Sequence, residues 1–208
     1  MRQAIGRKGE RRRQAILAAA RKCFVHYGLH GTRTSQICEE AGISPGGLFH
    51  HFDSKEEIVQ AVALDSVQEV IRGVTALVEA STDPVAALLD VVAVTGIMQA
   101  AWGMTPGLRL EVIAEAERNE ALRSILSTQA TVLTDLVGRL IDEACAAGRL
   151  PSRFADGDFV HLVGVIWNGV WVNQLVDPDF DLVAYGKMVS TFLGNPPAKR
   201  RKRRKKTD

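Results

Sequence analysis

Apolar residues recur along this chain at intervals of three and four, and the alternation expected of strands is almost absent. Ala15, Ile16, Ala19, Cys23, Phe24 and Tyr27 trace a first helix, with Gly28 as its stop. Ile37 and Ala41 mark a short second helix, about 35–41, closed by Gly42. Ser44-Pro45 reads as an N-cap and a first helical position, where proline lacks only an N–H that would be orphaned anyway, so a brief third helix should run to about His51. Ser54-Lys55-Glu56-Glu57 is a capping box ahead of Ile58, Val62, Leu64, Val67, Ile71, Val74 and Val78, which predicts a long fourth helix to about Ala80. Asp83-Pro84 opens a fifth helix to about Ala101, and Thr105-Pro106 a sixth to about Glu117. Asn119 caps a seventh, which carries Leu122, Ile125, Leu126, Val132, Leu133, Leu136, Leu140 and Ile141 and ends at Gly148. An eighth is expected from about Gly157 to Val176 and a ninth from about Phe180 to Leu193. The fold class is therefore all-α, with about nine helices.

Composition agrees with a globular chain: 208 residues, 46% hydrophobic and 24% charged. Aromatics are only 6%, which favours helix-on-helix packing. The three cysteines, Cys23, Cys38 and Cys145, are far apart and lack a CxxC spacing, so a reducing, cytoplasmic setting is expected and a disulfide framework or zinc site is not. No apolar run follows the charged start, as a signal peptide would require, and no uninterrupted apolar run approaches a membrane span. The net charge of +2 conceals a segregation. Residues 1–55 hold 10 Lys/Arg against 4 Asp/Glu, residues 56–198 hold 8 against 19, and 199–208 hold 8 against 1. A basic head on an acidic body points to a polyanionic partner for the head. The tail, residues 195–208, carries eight consecutive cations after Pro196-Pro197 and is expected to be disordered, with DNA phosphates as its candidate partners.

The candidate chemistry lies in residues 33–52. Two short helices joined by Gly42-Ile43-Ser44 have the spacing of a helix-turn-helix, within an N-terminal domain of residues 1–55. Ile37, Ile43, Leu48 and Phe52 would face inward, with Ala41-Gly42 allowing close approach of the two helices. Arg33, Thr34, Ser35, Gln36, Gly46, Gly47, Phe49, His50, His51 and Lys55 would stay outside, with Ser44 at the cap: hydrogen-bonding groups, an aromatic and cations that suit phosphates and base edges. Gly42-Ile43-Ser44-Pro45-Gly46 also matches the G-x-S-x-G nucleophile elbow. That elbow needs a preceding strand and an N–H after the serine, and here a helix precedes and proline follows. Adjacent His50 and His51 diverge by about 100° on a helix, so they do not form a metal pair. No catalytic residue, metal site or cofactor is expected.

The run Arg13-x-x-Ile16-Leu17-x-x-Ala20-x-x-x-Phe24-x-x-x-Gly28, then Thr34-x-x-Ile37-Cys38, Ala41-Gly42-Ile43-Ser44 and Gly47-Leu48-Phe49-His50-His51-Phe52-x-Ser54-Lys55-Glu56, resembles the TetR family of transcriptional regulators. Phe49 stands where the family usually has tyrosine, so only the ring carries over. The resemblance implies that Thr34 and Lys55 hold phosphates, and that Arg33 and Ser35 start the first motif helix. It also places Gly46, Gly47, Phe49, His50 and His51 in the major groove. It further implies a cytoplasmic homodimer on operator DNA, most simply a repressor released by an unidentified small molecule bound in a ligand-binding and dimerisation domain at 56–194. Candidate ligand residues there are Trp102, Met104, Arg109, Trp167, Asn168 and Trp171, with a core or dimer-interface role favoured for the aromatic stripe of Trp167 and Trp171. Leu162, Val165, Ile166, Val170 and Phe192 offer an apolar seam for a second copy. Glu111 and Glu115, four apart, suit a solvated face or a cationic ligand. The rival reading is a protein that binds nucleic acid without sequence choice through head and tail.

Overall fold

The computed structural model describes residues 2–91, 105–155, 157–177 and 179–194. Trp102, Met104, residues 92–101 of the expected fifth helix and the basic tail lie outside the described residues, as do the side chains of Trp167, Trp171 and Phe192. Among the described residues the chain is all-helical, without strands. The helices are α1 (Arg2–Gly31), α2 (Thr34–Ala41), α3 (Pro45–Phe49), α4 (Lys55–Ala80) and α5 (helical over 84–91). They continue as α6 (Pro106–Glu115), α7 (Glu120–Ala146), α8 (Asp158–Val176) and α9 (Leu182–Gly194), with one 3₁₀ turn, Ser152–Ala155, between α7 and α8.

Helix starts fall where short polar side chains can take an orphan N–H. Ser44, Ser54, Thr105 and Asn119 accept from the backbone N–H groups of Gly47, Glu57, Leu108 and Leu122. The box at Ser54 is offset by one residue, because the Glu57 carboxylate accepts from Asp53 N at 2.6 Å rather than from the cap itself. Two glycines end helices by adopting positive-φ backbone conformations that favour glycine. Gly42, at φ 63° and ψ 39°, ends α2, with Ile43 N donating back to Cys38 O. A Cβ on Gly42 would meet nothing within 4 Å, so the glycine is required by its dihedrals and not by close packing of α2 on α3. Gly28, at φ 74° and ψ 168°, breaks α1 one turn before its end.

The helices enclose two apolar cores. The first gathers Ile16, Leu17, Ala20 and Phe24 of α1, Ile37 of α2, Leu48 of α3, Phe52 and Ile58, together with Leu108 and Val112 of α6 and Leu122 of α7. Leu17 and Ala20 belong to the buried face of α1, while Ala15 and Tyr27 are exposed. The second core lies wholly in the body, between the later turns of α4, α5, α7, α8 and α9. The basic head is therefore not packed by itself: α6 and α7 complete its core. Arg21 on α1 and Asp65 on α4 add an ion pair at 2.7 Å across the same junction. By averaged hydropathy, unlike by uninterrupted runs, α8 reaches the length and apolarity of a membrane span, at a mean hydropathy of 1.3. Phe159 and Val163 of α8 nevertheless pack in the second core.

Candidate nucleic-acid interface and ligand cavity

The candidate residues of the head lie at the start of α2, in α3 and at the start of α4. Ile37, Leu48 and Phe52 are fully buried beneath them, and the Arg13 guanidinium lies 5.1 Å from the centre of the Phe52 ring. Arg33, Ser35, Ser44, Gly46, Phe49 and His50 are exposed, while Thr34, Gln36, Gly47, His51 and Lys55 are partly buried. Every candidate DNA-contact residue is thus at least partly accessible on the head. Phe49 is 49% exposed, so its ring is available to a partner.

Two side chains on this surface also have internal roles. Gln36 Oε1 accepts from Arg33 N at 2.7 Å, tightening the start of α2. Lys55 Nζ donates to His30 O at 3.3 Å and Thr32 O at 2.9 Å, so its ammonium closes the carbonyl end of α1. An ammonium has three donors, and this geometry uses two. Gly46 and Gly47 are conspicuous for a different reason. A Cβ at Gly46 would meet nothing within 4 Å, and one at Gly47 would make an ordinary contact with Ser44 Oγ at 3.4 Å. Each glycine inside a helix costs roughly 0.5–1 kcal/mol relative to alanine. Nothing among the described residues requires that bareness, which leaves the outer face of α3 open to close approach.

The end of α1 is held from the body as well. Glu111 Oε2 on α6 accepts from Leu29 N at 2.6 Å, just past the Gly28 break, and a Cβ at Gly28 would lie 3.1 Å from that oxygen. Glu115 Oε2 lies 3.4 Å from His30 Nε2 and 3.5 Å from Arg118. Glu111 thus fastens α6 to the head, while Glu115 lies at the same junction and lines a small cavity with Leu29, Lys55 and Asn119.

Between α6, α7 and α8 lies a cavity of about 120 Å³. Leu126, Leu133, Val137, Val160 and Val163 give it apolar walls, and Arg109, Gln129, Thr134 and Asn168 supply its polar atoms. Of the proposed ligand residues, Arg109 and Asn168 reach this cavity. Gln129 and Thr134 were not anticipated, although Gln129 interrupts the apolar stripe Leu122, Leu126, Leu133 and Leu136 and is only 4% exposed. Arg109 donates to Gln129 Oε1 at 3.1 Å, and burial pulls the guanidinium pKa below its ordinary value. Asn168 turns its Nδ2 back to Gly164 O at 3.0 Å. On α6, Arg109 and Glu111 are two residues apart, or about 200° around the axis. One helix thus faces the cavity on one side and the head on the other.

The model for "Bacterial regulatory proteins, tetR family" matches residues 16–62, the stretch that builds the head. The HTH-type transcriptional regulator UidR of Escherichia coli is 30% identical over 140 residues, covering 66% of this chain and 68% of that protein. A TetR-family transcriptional regulator from Agrobacterium tumefaciens superposes with a TM-score of 0.74 at 19% identity, over 89% of this chain and 97% of that one. The regulator FadR of Bacillus subtilis, solved with stearoyl-CoA, superposes with a TM-score of 0.67 at 21% identity, over 88% and 97%. These two structures share the fold.

Proposed function

Because the chain belongs to the TetR family of bacterial regulatory proteins, we propose that it works as a homodimeric repressor that a small molecule releases from operator DNA. The observation that carries this reading is the double attachment of α6, with Arg109 at the cavity and Glu111 on the backbone of α1. A ligand that repositions α6 by a fraction of an ångström changes how the end of α1 is held. The motif α2–α3, which packs on α1, is then re-aimed at DNA. The bare glycines Gly46 and Gly47 of α3 support groove entry, with His50, His51 and Phe49 toward base edges and Arg33, Thr34, Ser35, Gln36 and Lys55 toward phosphates. Lys55 would combine its two carbonyl bonds with one phosphate.

Dimerisation is supported by the outer face of α8. Leu162, Val165, Val172 and Leu175 recur at helical spacing and are exposed, Val165 by 67%, as is Met188 on α9. An apolar stripe of this kind suits a second copy. Val170, which the sequence pattern assigned to the seam, is buried within the chain instead. Selection from a random duplex pool by the purified full chain tests the reading. The expected product is an inverted repeat bound by two chains. Binding by single chains with equal affinity for all duplexes would replace it with the non-specific alternative, driven by head and tail charge.

A further inference from the structure

Most of the outward face of α3 has no side-chain group with which to make a hydrogen bond. Backbone bonds from His50 N to Gly46 O and from Phe52 N to Leu48 O carry helical geometry past Phe49, so successive residues turn by about 100°. Gly46 and His50 therefore stand opposite the buried Leu48, with Phe49 on one shoulder. Pro45, Gly46 and Phe49 are all exposed, and none of them has a polar side-chain atom. A long side chain on a helix leans toward the helix N-terminus, which lays the Phe49 ring toward Pro45 and Gly46. Gly46 adds no bulk there, since even a Cβ in its place would meet nothing within 4 Å. The result is a small hydrocarbon spot beside the exposed polar residues Ser44 and His50.

In a major groove such a spot selects by exclusion. Guanine, adenine and cytosine present acceptors and amino donors there, and only thymine adds a methyl group. A phenyl ring pressed on a donor or acceptor displaces its water and returns no hydrogen bond. Pressed on a methyl group, it removes hydrocarbon from water on both sides of the contact. A phosphate suits it no better than a polar base edge, because the ring offers neither charge nor an N–H or O–H. We propose that Phe49 is a specificity-determining residue that reads the C5-methyl group of a thymine in each operator half-site, with Pro45 beside it. The proposal rests on the groove assignment of α3 made above and names the chemical feature that this helix selects. His50 is then the hydrogen-bonding reader of the same face.

The test uses the operator recovered from the random duplex pool and the purified full-length protein. Thymines are replaced by deoxyuridine in symmetric pairs, one pair per duplex. Deoxyuridine pairs with adenine as thymidine does and lacks only the methyl group. At one pair the wild-type affinity should fall by about fourfold for each methyl removed, or about fifteenfold for the two half-sites together. The same scan with Phe49→Ala should start from a weaker affinity and show no comparable step at that pair. Phe49 is half-exposed, so the variant should match wild type in circular dichroism and melting, and the wild-type scan stands without it. A half-site without thymine, a scan in which no pair matters, or a step that persists undiminished in Phe49→Ala would each overturn the proposal. Any of those results would leave an inverted repeat bound by two chains, and with it the operator reading, in place. Recovery of no preferred sequence would overturn both.

Discussion

The head surface and the body cavity are built on opposite plans. The residues proposed to face DNA occupy a continuous stretch, 33–55, and each is placed by its position in a short helix or at a cap. The cavity takes Arg109, Gln129 and Asn168 from three helices, and no local rule brings those residues together. A surface of the first kind can be conserved in geometry while the rest of the molecule varies. A cavity of the second kind changes its chemistry whenever one wall residue changes. The two are nonetheless not independent, because α6 both lines the cavity and closes the core of the head.

That last point is open to direct attack. Leu108 belongs by sequence to the body, yet it is buried with Phe24, Leu48 and Phe52 in the head core. Leu108→Ala should cost about 2–5 kcal/mol, read as a lowered melting temperature, and should weaken DNA binding with it. Wild-type stability in this variant would show that the head folds on its own and would dissolve the coupling.

A smaller effect is expected at the break in α1. Gly28 holds a backbone conformation essentially confined to glycine, and its neighbour Glu111 leaves little room for a Cβ. Gly28→Ala should cost about 1–3 kcal/mol. If the Glu111 contact is what transmits the state of the body, Glu111→Ala should alter DNA affinity more than it alters melting. Equal and minor effects on both would reduce the contact to ordinary packing.

The mildest of these changes separates two roles of one side chain. Lys55→Ala removes two bonds to the end of α1, at a cost of about 1 kcal/mol. If Lys55 also meets a phosphate, the slope of log affinity against log salt should flatten by about 1. A stability loss with an unchanged slope would leave it as a helix cap alone.

Helix boundaries were legible because caps act within three residues: Ser44, Ser54, Thr105 and Asn119 all bind the N–H that their spacing points to. The buried and exposed sides of the motif were legible for a similar reason, since helical spacing separates Ile37, Leu48 and Phe52 from Arg33, Phe49 and His50. Contacts between distant segments were not. Glu111 on Leu29 spans 82 positions, Lys55 on Thr32 spans 23, and neither has a local signature. Gln129 left a trace, a polar side chain at an apolar position of α7, but its partner Arg109 could be found only through packing. Gly42 was legible as a helix stop, which its left-handed dihedrals bear out, whereas the close approach of helices also expected there is not what requires it.

The central claim is that the outer face of α3 reads DNA sequence. The most direct test compares wild type and His50→Ala on the operator recovered from the random pool and on a scrambled duplex of equal length. His50 is exposed at the end of α3 and supports no core contact, so the variant should melt like wild type. Its preference for the operator should fall by roughly the equivalent of 1–3 kcal/mol, with affinity for the scrambled duplex little changed. An undiminished preference in a correctly folded variant would contradict the assignment of His50 to the groove.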